Sequence, residues 1–575
     1  MRGTRSAQDK LFAADHLYLD FVGRDSLYGY LAQNRQHLFR DEDFAALYCA
    51  DNGRTSVPPS IAISILFLRA YEKVSFVEAI ERCKYDLRWK VALGLEMEEV
   101  PMQKSTLQEF EAHLVLHQQG EALLKKSIEE ARRAGYLKSH KIRVALDTTN
   151  ILGKGSVKDT YNLLAEGIVK LARALAEVAA EDAAAWAAQQ ELRRYFGSSV
   201  KGEVAIDWDD KKQRQQLLTQ IVQDARRLLG LAESAQQEHP QHAATIEEAA
   251  ALLRRLIAQD VEEKPEGGFQ IKEGTAKDRV VSVADPEMRH GRKSASKRFN
   301  GHKAAVAVDM ESQLVCAVEV LAGNAGDQEK ALDLVQQSER VMDATVEETV
   351  GDCAYGGGPT RRAFAEQERP LTAKVPATSN GACFPKTEFA IDLEKREVLC
   401  PAGQTSRDYR ANGKQGGGHF EFAVAVCAAC YLRAQCVRGK GSRTISISAE
   451  ESLQQQACIH NQTEAGRKSL RERVVVEHRI ARLVQLGIRK SRYFGRTKTC
   501  LQVVLAAMVA NVSLVVGYCR RQAGQAQLHS AETAAVVAPA AIPGESGVSA
   551  VIPGFLAALF MRGARFFAFG DPAWV

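Results

Sequence analysis

The stretch that decides the fold is KIRVALDTTN, residues 141–150. It is a short apolar and β-branched run that ends in Asp147, between long segments of helical periodicity. In a second run, TVEETVGDCAYGG at residues 345–357, a short predicted strand ends at Asp352 and a glycine-rich loop follows. Buried strands read as continuous apolar runs, and catalytic groups gather outside their carboxyl ends. We therefore predict an α/β protein with a carboxylate site at one edge of a mixed sheet.

Outward from these two runs, the pattern divides the chain into segments. Further strands are predicted at residues 278–285, 302–310 and 313–323, the last two joined by a turn at Asp309–Gln313. Residues 1–135 read as helical, and residues 160–264 as a helical insertion rich in Ala, Gln, Glu, Arg and Leu. A less regular, Cys-bearing insertion spans residues 375–460, and helix returns from residue 462 to about residue 518. Residues 521–575 are predicted to form a linker and tail.

Composition excludes several classes of protein. The 575 residues carry 76 basic and 71 acidic side chains, and the net charge of +5 excludes a histone-like polycation. A hydrophobic content of 45% excludes wholesale disorder, and 12 cysteines are too few for a disulfide scaffold. We expect a reducing, cytoplasmic setting. The uncharged run at residues 501–518 predicts a buried core helix rather than a membrane span.

A third acid is needed if the two aspartates are to hold two hard cations, and Glu477 is the best candidate. It lies in a strongly basic helical segment, with Arg473 four residues earlier on the same face. Carboxylate oxygens suit Mg²⁺ and Mn²⁺. Each acid alone has a plainer interpretation, either as a turn former or as half of a surface ion pair. Asp327 in GNAGDQ is another nearby acid, for which we favour the role of a turn former.

Two dense basic runs, at residues 289–303 and 467–498, predict contacts to phosphates. Ser, Asn, Gly and aromatic residues are interleaved, as expected where a protein approaches a duplex, although a solvated charged face is the plainer alternative. The helices of residues 1–135 also carry scattered basic residues and predict either a DNA-binding module or a helical scaffold. The side chains that we assign to DNA binding are Arg292, Lys293, Lys297, Arg298, Lys303, Arg473, Arg482, Arg489, Lys490, Arg492, Arg496 and Lys498.

Four cysteines form a C-x26-C-x2-C-x5-C series: Cys400, Cys427, Cys430 and Cys436. A C-x2-C pair with two more cysteines nearby can supply four thiolates to a structural zinc ion. Reduced buried cysteines or a redox pair are the alternatives. The series lies between Asp352 and Glu477.

Taken together, these motifs resemble those of DDE-type transposases of bacterial insertion sequences, in the group with an InsH-type N-terminal domain and a Cys-rich insertion. FRDEDFAALYCADNGRTSVPPSIAISILFL and PMQKSTLQEFEAHL resemble the N-terminal domain. ALDTTNILGKGSVKDTYNLL, VGDCAYGG and RERVVVEHRIARLVQLGIRKSRYFGRTK resemble the segments around the first Asp, the second Asp and the Glu. Leu470 stands where a Tyr often precedes the Arg, and Val484 stands where a basic residue follows the Glu. Arg482 or Arg489 would then take that basic role.

The resemblance implies an RNase H-like core over residues 136–520, behind a helical DNA-binding domain over residues 1–135. It implies that Asp147, Asp352 and Glu477 hold two Mg²⁺ ions, for which Mn²⁺ can substitute. The implied activity is metal-dependent cleavage at the inverted-repeat ends of an element, followed by attack of the freed 3′-hydroxyl on target DNA. Double-stranded DNA and at least a homodimer are the implied partners, without a membrane, in the bacterial cytoplasm at the nucleoid. The alternative is an inactivated or domesticated relative that binds element ends without cleaving them.

Overall fold

The computed structural model describes residues 1–5, 12–49, 52–294, 296–377, 381–413 and 416–536. Residues Met1–Cys519 form one compact unit, and a second unit begins at Arg520. A helix begins at Arg496 and ends at Val536, so the first part of the predicted tail is helical. The rest of that tail, residues 537–575, lies outside the described residues.

The N-terminal region is helical, as predicted. Local signals set the ends of its helices: the Ser75 hydroxyl and the Glu78 carboxylate cap each other's backbone N–H groups where one helix begins. A helix that begins at Pro59 is buried along most of its length. The helices are α1 (Ala14–Val22), α2 (Leu27–Leu38), α3 (Pro59–Glu72), α4 (Phe76–Tyr85), α5 (Leu87–Leu93), α6 (Lys104–Leu116) and α7 (Gly120–Arg133).

After the first strand, β1 (Lys141–Leu152), the chain leaves the sheet for a helical insertion with its own apolar core. The packing of α8 (Thr160–Val178) against α11 (Lys211–Glu238) and α12 (Ala243–Asp260) buries their Leu, Ile and Ala faces, as the 3.6-residue periodicity predicts. The elements are α8 (Thr160–Val178), α9 (Ala183–Gln189), α10 (Val200–Glu203), α11 (Lys211–Glu238), α12 (Ala243–Asp260), β2 (Val261–Glu263) and β3 (Phe269–Ile271).

The central sheet is mixed. Strand β1 pairs on one side with an antiparallel strand and on the other side with a parallel one. The remaining elements are β4 (Arg289–Arg292), β5 (Arg298–Asp309), β6 (Val315–Ala322), α13 (Ala331–Met342), β7 (Thr345–Val350), α14 (Gly358–Glu366) and β8 (Leu371–Thr372). The order is β4-β5-β1-β7-β8, and β6 also pairs with β5. The predicted strands at residues 302–310, 313–323 and 345–350 are confirmed.

The strand predicted at residues 278–285 is wrong. Val280 and Val281 are fully buried, which explains the apolar pattern, but the segment is not in a sheet. The Gln259 side chain takes the place of a strand partner, since it accepts from the Val280 N–H and donates to the Val280 carbonyl. The strand of this region is instead β4, within the basic run at residues 289–303.

The Cys-bearing insertion consists of short strands and helices around a small core of its own. It contains β9 (Ala390–Asp392), β10 (Glu397–Leu399), β11 (Thr405–Ser406), β12 (Asp408–Ala411), β13 (Gly418–Glu421), α15 (Val424–Ala428), α16 (Arg433–Cys436), β14 (Thr444–Ile447) and α17 (Glu451–Gln462). Because α17 begins at Glu451, helix returns earlier in the chain than predicted.

The helix predicted from residue 462 to residue 518 is interrupted. It is divided into α18 (Glu464–Glu472), α19 (Val474–Leu483) and α20 (Arg496–Val536), with a π-helical turn at Val484–Ile488 after α19. Gly487 has a φ of 95° within that turn, a backbone conformation that favours glycine. The interruption lets Lys490 form a bridge to the end of β1 at Leu152.

Helix α20 contains the uncharged run at residues 501–518. By length and composition, Arg496–Ala526 is the one helix among the described residues that is apolar enough to cross a membrane, and 67% of its most apolar window is buried inside the protein. Within that window the Asn511 side chain accepts from the Val315 N–H at 2.8 Å and donates to the Ser127 hydroxyl at 3.0 Å. These contacts are those of a core helix, as predicted.

The N-terminal helices and the central sheet share one continuous apolar core. A buried polar group also joins them: Arg69 donates to the Glu111 carboxylate at 3.1 Å, and the Tyr493 hydroxyl donates to the same oxygen at 2.7 Å. Burial is the largest influence on the Glu111 carboxyl and raises its pKa, which Arg69 and Tyr493 oppose. The helical region is therefore packed onto the region of the central sheet. Its assignment to DNA binding stays a prediction.

Candidate active site

Asp147 lies within β1 rather than at its end. The parallel pairing between β1 and β7 stops at Ala145 and Val350, whereas the antiparallel pairing with β5 continues to Leu152. The sequence prediction ended this strand at Asp147, which is too early, because the second half of β1 pairs with β5 alone. Asp147 stands two residues beyond the last parallel pair, where β7 no longer pairs with β1.

Asp352 stands at the equivalent place on the neighbouring strand, two residues beyond Val350. It begins the short 3₁₀ helix Cys353–Gly356, and its carboxylate accepts from the Ala354 N–H at 2.8 Å. The parallel register thus brings the two aspartates to one edge of the sheet, as the two strand-end runs predicted.

Glu477 lies on α19, in the C-terminal part of the chain, and Arg473 connects it to Asp147 of the sheet. The Arg473 guanidinium donates to the Glu477 carboxylate at 2.5 Å and lies 3.4 Å from the Asp147 carboxylate. The side chains of Arg473 and Asp147 are 20% and 22% exposed, and that of Glu477 is 51% exposed. Arg473 thus contacts two of the three predicted acids, as well as forming the predicted i,i+4 pair.

The electrostatic environment of Asp147 includes the charges of the other two acids. Burial raises the pKa of the Asp147 carboxyl, and the charges of Asp352 and Glu477 raise it further. The Thr148 N–H, 2.7 Å from the carboxylate, and the Arg473 guanidinium oppose that increase. The ionised form of Asp147 is therefore disfavoured until a cation compensates it.

Sequence reasoning missed the surroundings of Asp327, which is more than a turn former. Its carboxylate accepts from the Thr148 hydroxyl and from the Lys303 ammonium group, both at 2.8 Å. Thr148 follows Asp147 directly, so Asp327 is coupled to β1 beside Asp147. Lys303 also donates to the Ala325 carbonyl at 2.7 Å. The one available signal was the DTT sequence, which places a hydroxyl beside the acid.

The donor chemistry of these acids fits hard divalent cations, because each supplies carboxylate oxygens. In this structure a cationic group, Arg473, bridges two of them. Within the described parts of the chain, no three Asp, Glu, His or Cys side chains are close enough together to ligate one ion. The acids would have to move toward each other, and Arg473 would have to move aside, for an ion to be held.

The structure divides the basic residues predicted to contact DNA into three sets. Four of them are engaged inside the protein: Lys303 with Asp327, Arg473 with the acids, Arg489 with Thr149 and Asn150, and Arg492 with the carbonyls of Lys73 and Val74. Arg482 is half-buried beside Gln485. The others are exposed, with Arg496 paired to Glu287: Arg292, Lys293, Lys297, Arg298, Lys490, Arg496 and Lys498.

Four of the exposed basic residues lie on one hairpin, formed by β4 and β5. Arg292 pairs with Arg298 across it, and Lys293 and Lys297 lie at its tip. The hairpin continues β5 beyond the end of β1, since Leu152 pairs with Gly301 and Asp147 pairs with Val306. Arg298 is eight residues from Val306 along β5, which places it at most about 26 Å from the level of Asp147.

The four cysteines of the predicted zinc site line one cavity of about 30 Å³ in the Cys-bearing insertion. All four are free thiols, and the Gln404 N–H donates to the Cys400 sulfur at 3.3 Å. Burial raises the pKa of the Cys436 thiol, and the other three cysteines raise it further. The structure therefore brings the four residues together, although not at the mutual distances of a closed metal site.

Two families match this chain. Residues 399–516 match the family described as a transposase DDE domain, and residues 24–113 match the transposase domain DUF772. The first match contains the four cysteines, Arg473 and Glu477. Because it begins at residue 399, it does not include Asp147 or Asp352. No curated protein and no solved structure matches the chain.

Proposed function

We propose that this chain, which its two matched domains identify as a DDE-type insertion-sequence transposase, cleaves the inverted-repeat ends of its element and joins them to target DNA. The observation that carries this proposal is that Arg473 bridges Asp147 and Glu477, while the register of β1 and β7 places Asp352 at the same edge of the sheet as Asp147. The three acids come from segments more than a hundred residues apart, and the charges of two of them act on the third.

The sheet supports an RNase H-like core for this activity. Three antiparallel strands (β6, β5, β1) are followed by two parallel ones (β7, β8). Catalytic groups gather outside the carboxyl ends of strands. Asp147 lies on β1 beyond its last pair with β7, Asp352 follows β7, and α19 adds Glu477 from the C-terminal part of the chain.

In the mechanism we propose, Asp147, Asp352 and Glu477 would hold two Mg²⁺ ions, or Mn²⁺ in their place. When bound, such ions would lower the pKa of a water and stabilise the leaving 3′ oxygen of the DNA. The residues of the chain bind and position: Thr148 and its partner Asp327 fix the backbone at Asp147, and the 3₁₀ helix fixes Asp352. No covalent protein nucleophile is required. Arg473, once moved from the acids, is placed to contact a phosphate.

We propose that DNA extends from the acids along β5 to the hairpin of β4 and β5. The distance of at most about 26 Å corresponds to about eight nucleotides of duplex at 3.4 Å each. The hairpin would therefore contact phosphates up to about eight positions from the scissile bond. Its Arg and Lys side chains provide affinity and register rather than sequence recognition. Because two element ends are joined to one target, the active species is at least a homodimer.

We further propose that the four cysteines hold a structural zinc ion. The region they support has strands of two to four residues and a core of seven buried apolar residues, which is small for independent stability. Four thiols around one cavity supply the tetrahedral set that zinc prefers. Zinc binding would draw the sulfur atoms closer together than they lie in this structure.

The test of the proposed activity uses the purified full chain, DNA carrying the ends of its own element, and Mg²⁺, with cut strands mapped on a sequencing gel. Wild-type protein is expected to cut at the ends, and Asp352→Asn to bind the same DNA without cutting it. The alternative, a relative that binds ends without cleaving, predicts binding and no cleavage by either protein in Mg²⁺ or Mn²⁺. We expect the protein in the cytoplasm, associated with the nucleoid.

A further inference from the structure

One polar group at the acid centre has no partner. Tyr355 follows Asp352 by three residues, and its side chain is fully buried. Its hydroxyl group makes no hydrogen bond, although a buried hydroxyl usually has a partner. Leaving a buried polar group unsatisfied costs free energy, so this arrangement requires an explanation.

Three carboxylates act on the Tyr355 hydroxyl. Burial has the largest effect and raises its pKa well above the ordinary tyrosine value, and the charges of Asp147, Asp327 and Asp352 raise it further. The hydroxyl therefore keeps its proton and can donate a hydrogen bond to a nearby acceptor. The ring also packs against Gly351, where an added Cβ would lie 2.7 Å from the Tyr355 Cβ.

We propose that Tyr355 is a positioning residue of the acid centre, whose hydroxyl donates to the Asp147 carboxylate once a divalent cation is bound. This inference rests on the proposed function. In the structure, one Asp147 oxygen accepts from the Thr148 N–H and the other faces Arg473 at 3.4 Å. When a cation replaces Arg473, the second oxygen is released from the guanidinium, and Tyr355 supplies the donor that fixes its direction.

The hydroxyl is thus left unpaired in the cation-free protein and used in the loaded one. This pattern gives opposite signs for two measurements on one variant. Tyr355→Phe removes only the hydroxyl, so it is expected to leave the melting temperature of the cation-free protein unchanged or raised. The same variant is expected to weaken Mn²⁺ binding about tenfold, the lower end of the effect seen when a group orienting a metal ligand is lost.

A matched control is available in the helical insertion. The Tyr195 side chain is also buried, and its hydroxyl donates to the Asp224 carboxylate at 2.6 Å. Tyr195→Phe removes a satisfied hydrogen bond, so it is expected to lower the melting temperature. Because Tyr195 belongs to the separate core of the insertion, Tyr195→Phe is expected to bind Mn²⁺ as tightly as wild type.

The experiment measures the melting temperature of the full chain at increasing Mn²⁺ concentration, without DNA, for wild type, Tyr355→Phe, Tyr195→Phe and Asp147→Asn. An unchanged Mn²⁺ affinity in Tyr355→Phe, beside a reduced one in Asp147→Asn, would overturn the role of Tyr355 and leave the acid centre standing. A lowered melting temperature of cation-free Tyr355→Phe would also overturn it, because the hydroxyl would then have a partner. Equal responses of wild type and Asp147→Asn would instead reject the acid centre itself.

Discussion

Arg473 offers the sharpest test of how the acid centre is balanced before a metal ion binds. Its guanidinium lies 2.5 Å from Glu477 and 3.4 Å from Asp147, and it is the cation that bridges two of the three acids. Arg473→Gln keeps a polar side chain but leaves the acids uncompensated. The half-exposed Glu477 pair contributes about 0.3–0.5 kcal/mol, as exposed i,i+4 pairs do. For Asp147, Coulomb's law brackets the gross attraction between about 1 kcal/mol in water and 4 kcal/mol near a protein surface, part of which desolvation offsets.

We therefore expect Arg473→Gln to lower the free energy of unfolding of the cation-free protein by about 1–2 kcal/mol. The same loss is expected to tighten Mn²⁺ binding by up to about tenfold, because the ion no longer displaces a bound cation and 1.4 kcal/mol is a factor of ten. Urea unfolding and Mn²⁺ titration by calorimetry measure the two quantities. Arg473→Lys is the matched control, since an ammonium group keeps the charge but not the two-pronged bridge. Weaker Mn²⁺ binding in Arg473→Gln would refute the reasoning and make Arg473 a supporter of the metal site.

Four other changes test separate parts of the structure. Asp147→Asn is expected to raise the melting temperature at pH 7, because burial raises the pKa of Asp147 and its ionised form costs stability. The gain in melting temperature should shrink as the pH falls toward the ordinary aspartate pKa of about 3.9, and a gain that does not change with pH would contradict this prediction. Lys297→Ala on the hairpin should weaken DNA binding for all sequences alike and reduce the slope of log K against log salt by about 0.9, whereas an unchanged slope would remove the hairpin from the DNA path. Metal analysis should find one zinc ion per wild-type chain and none in Cys427→Ser, and chelation should lower the wild-type melting temperature alone; a metal-free, chelator-insensitive wild type would exclude zinc. Glu111→Ala leaves Arg69 buried without its carboxylate and should lower the free energy of unfolding by about 3 kcal/mol. A decrease of about 1 kcal/mol or less would mean that the contact with Tyr493 does not hold the N-terminal helices to the core.

The positions of the two aspartates could be predicted from the sequence, because a strand that is covered on both sides leaves a continuous apolar run. The segment at residues 278–285 shows the limit of that signal. It is equally apolar and equally buried, but a Gln259 side chain satisfies its backbone, and apolar periodicity does not report which group provides the hydrogen bonds.

The basic residues show a second limit. Lys303 and Lys297 belong to the same basic run, so the sequence pattern does not distinguish them. In the structure, Lys303 is bonded to Asp327, whereas Lys297 is exposed at the hairpin tip. Tyr355 was missed for a related reason: an aromatic residue three positions after an aspartate reads as core, and its unpaired hydroxyl becomes visible only in the folded arrangement of the acids.

The central claim is that Asp147, Asp352 and Glu477 form one metal-dependent centre that cuts DNA. The most direct measurement is strand cleavage of DNA carrying the element's own ends, by wild type and by Asp147→Asn, Asp352→Asn and Glu477→Gln, with end binding measured on the same samples. Cleavage in Mg²⁺ by wild type alone, with DNA binding kept in all four proteins, is the predicted result. Full cleavage by any one of the three variants would contradict the assignment of the centre.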